Sequence, residues 1–418
     1  MSPLNWLIII GVPVIIGLVI LESTVAKRKK LKLYTLSDSI TNLSLGLLER
    51  VFDIFFSVLT LIAFNYIHEN IAPFQIELTA FTWIIGLLVT DFIAYWFHRL
   101  SHEINFLWAA HIVHHQSEEL NLTTVFRVSF LAVVYRSFFY VWMALAGFDV
   151  FTILTTGVFL GFYQLFTHSR VIGKLGFVEK FMTTPSHHRV HHGRNEKYLD
   201  QNYGHIFIFW DKLFGTFIEE DEEPDYGITS GYERANPFNA VFSYWKDLFV
   251  NAKKTKSIKN KASVFLKGPA WTPDDLMGLP PEKKAPFKMV FSFEKRAYIL
   301  FNIAITASCF LALLYFKSKM GKDVGFYELI SDKSIVSLAA IIVISIFAHS
   351  RVIEDKKFAV LTDGLRLVSV ITLVVYGFAS SAASTWLLPV VIGYCLIMLL
   401  WLVRLSVNSN EKVLSPNA

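Results

Sequence analysis

Nine apolar stretches, each near the length of a membrane-spanning helix, constrain the fold of this 418-residue chain more than any other feature. A helix needs about 20 mostly apolar residues to cross the hydrocarbon core of a bilayer. Only 17% of the residues are charged, whereas soluble proteins carry about 25%. We therefore predict an all-α, polytopic transmembrane helical bundle, with spans at 4–22, 43–67, 79–97, 130–147, 150–167, 297–316, 334–349, 358–378 and 385–405.

Basic residues indicate the orientation of this bundle. The first apolar stretch is followed by the basic run 27–30, and cytoplasmic loops carry an excess of lysine and arginine. Counting crossings from there puts the polar stretch 169–296 in the cytoplasm, although Lys317, Lys319 and Lys322 then lie outside. Such loops explain the net charge of +5, so no nucleic-acid partner is expected. A bacterial inner membrane and the endoplasmic reticulum both fit.

The apolar stretches fall into two membrane parts separated by a polar part. We predict a histidine-rich membrane core with an interfacial cap over 1–225, a cytoplasmic polar linker over 226–296, and a C-terminal four-helix transmembrane region over 297–418. The two cysteines, Cys309 and Cys395, lie within apolar stretches and are expected to be packing residues. Any bound metal must therefore have nitrogen or oxygen ligands.

Eight of the thirteen histidines form three motifs, H-x-x-x-H, H-x-x-H-H and H-x-x-H-H. Residues three or four apart share one face of a helix, so each motif presents two or three imidazoles together. Under the predicted topology all three motifs lie at the cytoplasmic membrane face. The motif histidines are His98, His102, His111, His114, His115, His188, His191 and His192.

Eight imidazoles are more ligands than a single metal ion takes, so the motifs predict a site for two metal ions. Imidazole suits iron, zinc, copper and nickel. The H-E-x-x-H motif of zinc proteases does not occur in the chain. One histidine at the end of a span is more often interfacial than a ligand, but three such motifs on one face make that explanation poor. A transporter would hold its ligands near mid-membrane, which disfavours metal transport or sensing.

Further residues are candidates for the same site. Asp91 is an acid inside a predicted span, two turns before the first motif, and such acids are functional candidates by default. Glu103 follows His102 and is expected either to accept a hydrogen bond from a ligand histidine or to be a solvated interfacial acid. His168 ends the fifth span four residues after Gln164 and is predicted as a ninth metal ligand. Four histidines are expected in supporting, structural or interfacial roles: His68, His187, His205 and His349.

The segment 198–217, which follows the last motif, is aromatic and interrupted by glycine. It is too short to span a membrane. We predict a loop and a short amphipathic turn at the membrane interface, where the aromatic side chains cover the metal site.

The motifs and their flanking residues resemble the fatty acid hydroxylase/sterol desaturase superfamily. The similarity extends over residues 80–220 and includes D-x-x-x-Y-W-x-H-R from residue 91, W-x-x-H from 108, P-S-x-H-R-V-H-H-G from 185, N-Y-G from 202, W-D from 210 and F-G-T-F from 214. The resemblance implies that the eight motif histidines bind two iron ions and that Glu103 is needed. It also implies that O₂ is used to hydroxylate or desaturate a membrane lipid.

Two features resemble one branch of this superfamily. These are the H-x-x-x-H-E form of the first motif, at 98–103, and the added C-terminal spans, which the shorter sterol-type members lack. The branch implies cleavage of the O-alkyl bond of an alkylglycerol-type lipid through a hemiacetal, with a tetrahydropterin as electron donor. A redox protein is the alternative donor, and sterol, carotenoid or fatty-acyl chains are the alternative substrates.

Overall fold

The computed structural model describes residues 3–229, 236–277, 292–321, 325–354, 358–381 and 384–414. Within these ranges the ordered elements are helices and short 3₁₀ turns, with two isolated β-bridges and no β-strand. The predicted all-α class is confirmed. Lys322, which disagrees with the predicted topology, lies outside the described residues.

The chain divides into two compact units. The first comprises Met1–Glu49, Leu59–Arg234 and Asn239–Pro286, and the second comprises Arg50–Val58, Ala235–Phe238 and Phe287–Ala418. The helices before residue 226 are α1 (Pro3–Arg28), α2 (Leu36–Asn70), α3 (Ala80–Glu103), α4 (Asn105–His115), α5 (Ala132–Leu145), α6 (Val150–Thr167), α7 (Pro185–His191) and α8 (Phe209–Phe214). The later helices are α9 (Pro237–Lys254), α10 (Ile258–Leu266), α11 (Phe293–Lys319), α12 (Phe326–Ser331), α13 (Lys333–Ile353), α14 (Ala359–Phe378) and α15 (Ser384–Leu414).

Six of the described helices are long and apolar enough to cross a membrane, namely α3, α6, α11, α13, α14 and α15. The chain is an integral, multi-pass membrane protein. The expected spans 4–22 and 43–67 lie on α1 and α2, which are not among the six. The expected span 130–147 corresponds to α5, which has 14 residues. At 1.5 Å per residue α5 is about 21 Å long, which is shorter than a hydrocarbon core of about 30 Å.

Small and hydroxyl side chains bring α3 and α6 into close contact. A Cβ atom on Gly86 would lie 2.7 Å from the Thr152 side chain, so the two backbones approach closely only because residue 86 is glycine. Further along, the Thr90 hydroxyl donates to the Thr156 hydroxyl at 2.8 Å. This packing sets side by side the two helix ends that carry the first histidine motif and His168.

In its described residues, the predicted polar linker 226–296 contains α9 and α10. Ala240 and Val241 of α9 pack with Ile112 and Val113 of α4 in one buried apolar cluster. Val264 of α10 joins a second cluster, with Ala109 and Leu248. Both helices thus pack against α4, which carries the second histidine motif. The predicted domain boundaries stay a prediction.

The second unit is built around α13, which packs against α11 and α14. Its buried polar contacts centre on Arg366, whose Nε donates to Asp363 at 2.6 Å and whose Nη2 donates to the Asn302 amide oxygen at 3.1 Å. Tyr298 donates its hydroxyl proton to the same carboxylate. The paired charges satisfy each other inside the membrane part.

Candidate metal centre

The structure brings nine histidines together in two neighbouring groups, and in each group the ligand atoms lie within 4.8 Å of one another. The first group is His98, His102, His111, His115 and His191, and the second group is His114, His168, His188 and His192. All of these side chains are buried except His111 and His114, which are partly exposed. The nine are the histidines that the sequence predicts as metal ligands, and their role as ligands stays a prediction.

Helices α4 and α7 supply both groups, because histidines three or four residues apart leave one helix at adjacent positions. Helix α4 contributes His114 to the second group and its two other histidines to the first. The α7 motif contributes His191 to the first group and its other two histidines to the second. Helix α3 supplies only the first group, and His168, at the end of α6, supplies only the second.

In the second group the Nε2 atoms approach one another closely. The Nε2 atom of His168 lies 3.2 Å from that of His114 and 3.1 Å from that of His188. The Nε2 atom of His192 lies 3.1 Å from that of His188. The four rings therefore direct the same nitrogen toward a common centre.

The first group converges in the same way. The Nε2 atom of His115 lies 3.2 Å from that of His111 and 3.1 Å from that of His191. The Nε2 atoms of His98 and His102 are buried and have no hydrogen-bond partner among the described residues. Such orphaned nitrogens are costly in a protein interior unless something binds them.

The loop segment 200–203 orients three rings of the first group through their Nδ1 atoms. The pairs are His98 with the Tyr203 carbonyl at 2.8 Å, His191 with the Gln201 carbonyl at 2.9 Å, and His102 with the Asp200 carboxylate at 3.1 Å. Carbonyl and carboxylate oxygens only accept, so each neutral ring carries its proton on Nδ1 and presents a lone pair at Nε2. The backbone of Asp200 is left-handed, with φ of 57°.

Two backbone carbonyls orient rings of the second group. His168 Nδ1 donates to the Gln164 carbonyl at 2.7 Å, and His114 Nδ1 donates to the Arg127 carbonyl at 3.3 Å. Arg127 is itself fixed, because its fully buried guanidinium donates to Asp38 at 3.2 Å. Gln164 thus acts through its backbone, one helical turn before the histidine that it orients.

The arrangement of these rings suits a bound metal ion better than it suits protonated imidazoles. Since His114 and His168 both donate through Nδ1, the Nε2 lone pairs of the neutral rings face each other across 3.2 Å. Two lone pairs at that distance repel unless a cation lies between them. Burial lowers the pKa of His168 to about 4 and that of His114 well below its ordinary value. Protonation at neutral pH is therefore disfavoured, and neutral imidazoles are good ligands for divalent transition metals.

Comparisons with known proteins agree with this geometry. The fatty acid hydroxylase family model matches residues 83–216, a range that contains all nine histidines. Alkylglycerol monooxygenase of Homo sapiens is 33% identical over 377 residues, which cover 87% of this chain and 82% of the human protein. The enzyme of the same name from Danio rerio is 30% identical over 415 residues, covering 97% and 90%. This chain belongs to the fatty acid hydroxylase family, on its alkylglycerol monooxygenase branch.

A relative with a different name matches a shorter part of the chain. The ornithine lipid hydroxylase OlsE of Rhizobium tropici is 31% identical over 165 residues, 39% of this chain and 50% of that protein. No solved structure matches the chain. The predicted family and the predicted enzyme class, an oxygen-dependent membrane lipid monooxygenase, are confirmed.

Asp91 of this monooxygenase contacts the segment 198–217 rather than either histidine group. Its carboxylate accepts the backbone N–H of Ile206 at 2.8 Å and of Phe207 at 3.2 Å, and the indole N–H of Trp210 at 3.0 Å. These donors belong to the segment 198–217, which would otherwise carry unpaired N–H groups beside a spanning helix. The predicted part of Asp91 in the reaction stays a prediction.

Glu103 accepts a hydrogen bond from Arg99 Nε at 2.8 Å, one helical turn earlier. The carboxylate that contacts the neighbouring ligand candidate, His102, is that of Asp200. Adjacent helix residues leave the axis about 100° apart, so the side chain of Glu103 points away from the ring beside it. That Glu103 is needed for activity stays a prediction.

The sequence did not indicate the part that Asp211 plays in positioning the loop. Its buried carboxylate accepts the backbone N–H of Tyr203 at 2.7 Å and of Gly204 at 2.8 Å, and the Thr216 hydroxyl at 2.8 Å. Burial raises the pKa of Asp211 to about 6. The W-D and N-Y-G motifs stood out in the sequence, but nothing in their spacing indicates that they bind each other.

A buried ion pair holds α7 in place. Arg189 donates Nε and Nη2 to the two carboxylate oxygens of Glu220, at 2.7 and 2.6 Å, and the Ser186 hydroxyl donates to the same carboxylate at 2.7 Å. Such two-point pairs fix geometry as well as position. Ser186 and Arg189 lie on α7, the short helix that carries the third histidine motif.

Two further histidines lie near the groups without joining them. The ring centroid of His205 lies 5.0 Å from that of His98, closer than the expected structural or interfacial role requires. The Nδ1 atom of His187 accepts the backbone N–H of Thr184 at 3.3 Å, at the start of α7. His187 therefore helps to begin the helix that carries the third motif.

Proposed function

We propose that this protein is a di-iron monooxygenase that cleaves the O-alkyl bond of alkylglycerol-type ether lipids. The observation that carries the proposal is the pair of adjacent, all-histidine groups in a chain that aligns with alkylglycerol monooxygenases over most of its length. The first group would hold one iron ion and the second group the other. Nitrogen ligands of this kind suit iron, and the family implies it.

Iron ions held by the two histidine groups would supply the activation of O₂, which no side chain of the protein provides. The chain itself orients the ligand rings, through the 200–203 segment in the first group and the Gln164 and Arg127 carbonyls in the second. Because seven of the nine histidines are buried, bulk water is kept from the centre.

The overall chemistry balances as a monooxygenation. One oxygen atom of O₂ enters a C–H bond of the carbon next to the ether oxygen, and the other leaves as water, with two electrons from the donor and two protons from the donor or from water. The product is a hemiacetal, whose C–O bond breaks to give a fatty aldehyde and a glycerol. A tetrahydropterin is the proposed electron donor, and a redox protein is the alternative.

The site lies at one end of two spanning helices, since the first motif occupies the last turns of α3 and His168 directly follows α6. We assign this end to the cytoplasmic face, as the basic loops suggest. A lipid then keeps its headgroup in water while its chain lies among the spans. A bacterial inner membrane or the endoplasmic reticulum would suit this arrangement.

A fatty-acyl, sterol or carotenoid substrate is the alternative. The match to an ornithine lipid hydroxylase favours an acyl chain, but it covers only 39% of this chain. The alkylglycerol monooxygenases align with the C-terminal helices as well. The ether substrate therefore has more support.

The test is a product analysis with the full chain, purified in lipid nanodiscs and loaded with ferrous iron. A 1-O-alkylglycerol and the monoacylglycerol of equal chain length are each incubated with O₂ and tetrahydrobiopterin, or with a ferredoxin and its reductase. We expect fatty aldehyde from the ether alone. The chain carbon bonded to the bridging oxygen is a CH₂ group in the ether, whereas in the ester it is the carbonyl carbon, which carries no hydrogen. His111→Ala is expected to abolish aldehyde formation.

The matched control is His68→Ala, which removes a histidine outside both groups. It is expected to keep both activity and iron. Iron-loaded wild-type protein that forms no aldehyde with either donor, but hydroxylates the acyl chain of an ornithine lipid, would replace the proposal with its alternative.

A further inference from the structure

An exposed apolar surface lies on segments that follow α6, outside the six described helices that are long enough to span a membrane. Two segments form this cap surface, the turn Gly176–Lys180 with its flanking residues and the short helix α8. The exposed fractions are 70% for Phe177, 67% for Leu213 and 53% for Phe181. Large apolar side chains clustered in this way usually mark a binding surface.

Backbone hydrogen bonds join the two segments of the cap surface. Ile208 N donates to the Phe181 carbonyl at 3.0 Å, and Thr183 N donates to the Ile206 carbonyl at 2.8 Å. Lys212 Nζ, on α8, donates to the Lys180 carbonyl at 2.9 Å. The surface is thus one ordered structure, although its parts are about 30 residues apart in sequence.

The cap surface continues the lipid-facing side of a spanning helix. Exposed apolar residues of α3 follow one face, from Phe81 through Ile84 and Leu88 to Phe92. At Phe92 this face meets α8, where the Trp210 ring lies 4.9 Å from the Phe92 ring. The donors that Asp91 satisfies lie at the same place, as backbone beside lipid requires.

Cations surround the apolar side chains of the cap surface. Lys174, Lys180 and Lys212 are all exposed, and Lys180 Nζ lies 5.4 Å from the centre of the Phe177 ring. The one acid of the turn, Glu179, accepts hydrogen bonds from Leu175 N and the Thr184 hydroxyl, both at 3.0 Å. Exposed aromatic residues flanked by exposed lysines are typical of the boundary between acyl chains and phosphate headgroups.

We propose that the cap surface inserts into the headgroup region of the leaflet that borders α3, with its apolar side chains in lipid and its lysines on anionic headgroups. The Phe81–Phe92 face supplies continuity with the bilayer, and the lysines supply charge complementarity. Helix α8 of the cap surface belongs to the same segment, 198–217, as Tyr203, whose carbonyl orients His98. The backbone therefore connects the proposed lipid contact to a residue that orients a ligand ring, whichever lipid the enzyme oxidises.

The experiment uses the full chain in nanodiscs with an environment-sensitive fluorophore on an introduced cysteine. The probe positions are Leu213→Cys and Phe177→Cys. The control is Glu196→Cys, an exposed position outside the cap surface. Labelling of the parent chain, which contains Cys309 and Cys395, gives the background. Lipids that carry a nitroxide near the headgroup and aqueous iodide are the two quenchers.

We expect the fluorophores at 213 and 177 to emit at shorter wavelength than the control and to be quenched by the nitroxide lipid but not by iodide. Quenching by iodide equal to that of the control would overturn the proposal. Protection from both quenchers would also overturn it, because a protein partner or a second copy of the chain would then cover the surface.

The lysines are tested with Lys174→Gln combined with Lys180→Gln, in discs of zwitterionic lipid and in discs containing anionic lipid. Nitroxide quenching at position 213 is expected to be stronger in the anionic discs, and the double variant is expected to lose most of that difference. Lys253→Gln combined with Lys254→Gln, on α9, is the matched control and should keep it. If Lys174→Gln combined with Lys180→Gln keeps the difference in nitroxide quenching between the two kinds of disc, the headgroup contact is contradicted.

Discussion

The Nε2 atoms of His114 and His168 lie 3.2 Å apart, although both rings donate their Nδ1 protons to backbone carbonyls. His114 lies on α4 and His168 at the end of α6, and lone pairs that face each other at this distance repel. A cation between them explains this arrangement. The Arg127 and Gln164 carbonyls thus hold these two ligand rings in position before the metal binds.

The contact between Asp200 and His102 gives a prediction for the first group. Removing a carboxylate that orients a ligand histidine lowers metal affinity by about 10–100-fold. We expect this loss for Asp200→Gly, which keeps the left-handed backbone without strain. Asp200→Asn keeps an acceptor and should lose less. The measurement is competition with a chelator for the bound iron.

Asp225 provides the control for that prediction, since it is as exposed as Asp200 but pairs with Arg194 rather than with a histidine of either group. Asp225→Gly should leave metal affinity unchanged. Equal losses in the two glycine variants would mean that the effect is not exerted through His102.

Asp91 is predicted to act on structure. Asp91→Asn leaves one acceptor for three N–H donors and directs an amide group at them, which costs about 1–3 kcal/mol for each donor left unpaired. We expect thermal stability, bound iron and activity to fall together. A variant that keeps wild-type stability and iron but loses activity would instead assign Asp91 to the reaction.

Gly204 lies where the loop passes closest to its support. A Cβ atom there would lie 2.7 Å from the Asp211 carboxylate and 2.7 Å from the Phe207 carbonyl. We expect Gly204→Ala to destabilise the protein by about 1–3 kcal/mol, as overpacking does. Gly173→Ala, which has nothing within 4 Å of the added atom, is the matched control. Thermal unfolding of both variants in nanodiscs provides the measurement.

Asp211 gives a prediction for pH. Burial raises the pKa of its folded-state carboxyl to about 6, above that of the unfolded chain. The stabilisation from this raised pKa is complete below the unfolded pKa and is lost as pH rises through about 6. The stability advantage of the wild type over Asp211→Asn should therefore shrink as pH rises from about 4 to 7. Unfolding midpoints across that range test this, and an advantage that grows with pH would contradict it.

Helical spacing was sufficient to predict the members of the metal centre but not their division. The intervals within H-x-x-H-H place its imidazoles on one face, which is a local property of the chain. That His114 joins His168 while His111 joins His191 depends on how four helices pack together. Spacing within a motif carries no information about that packing.

The orientation of the rings was also beyond the sequence. Asp200 approaches His102 only because the chain returns through a left-handed loop about 100 residues later. Glu103, the neighbour in sequence, binds Arg99 instead. Adjacency in the chain misled here because a helix sends neighbouring side chains in different directions.

The central claim is that two histidine groups hold two iron ions, and the most direct test is iron counted per chain by elemental analysis. We expect two iron ions per chain in the wild type and in His68→Ala. We also expect loss of iron from the first group in His98→Ala and from the second group in His168→Ala. A wild-type protein that binds a single ion when loaded, or an iron content that neither His98→Ala nor His168→Ala lowers, would contradict this claim.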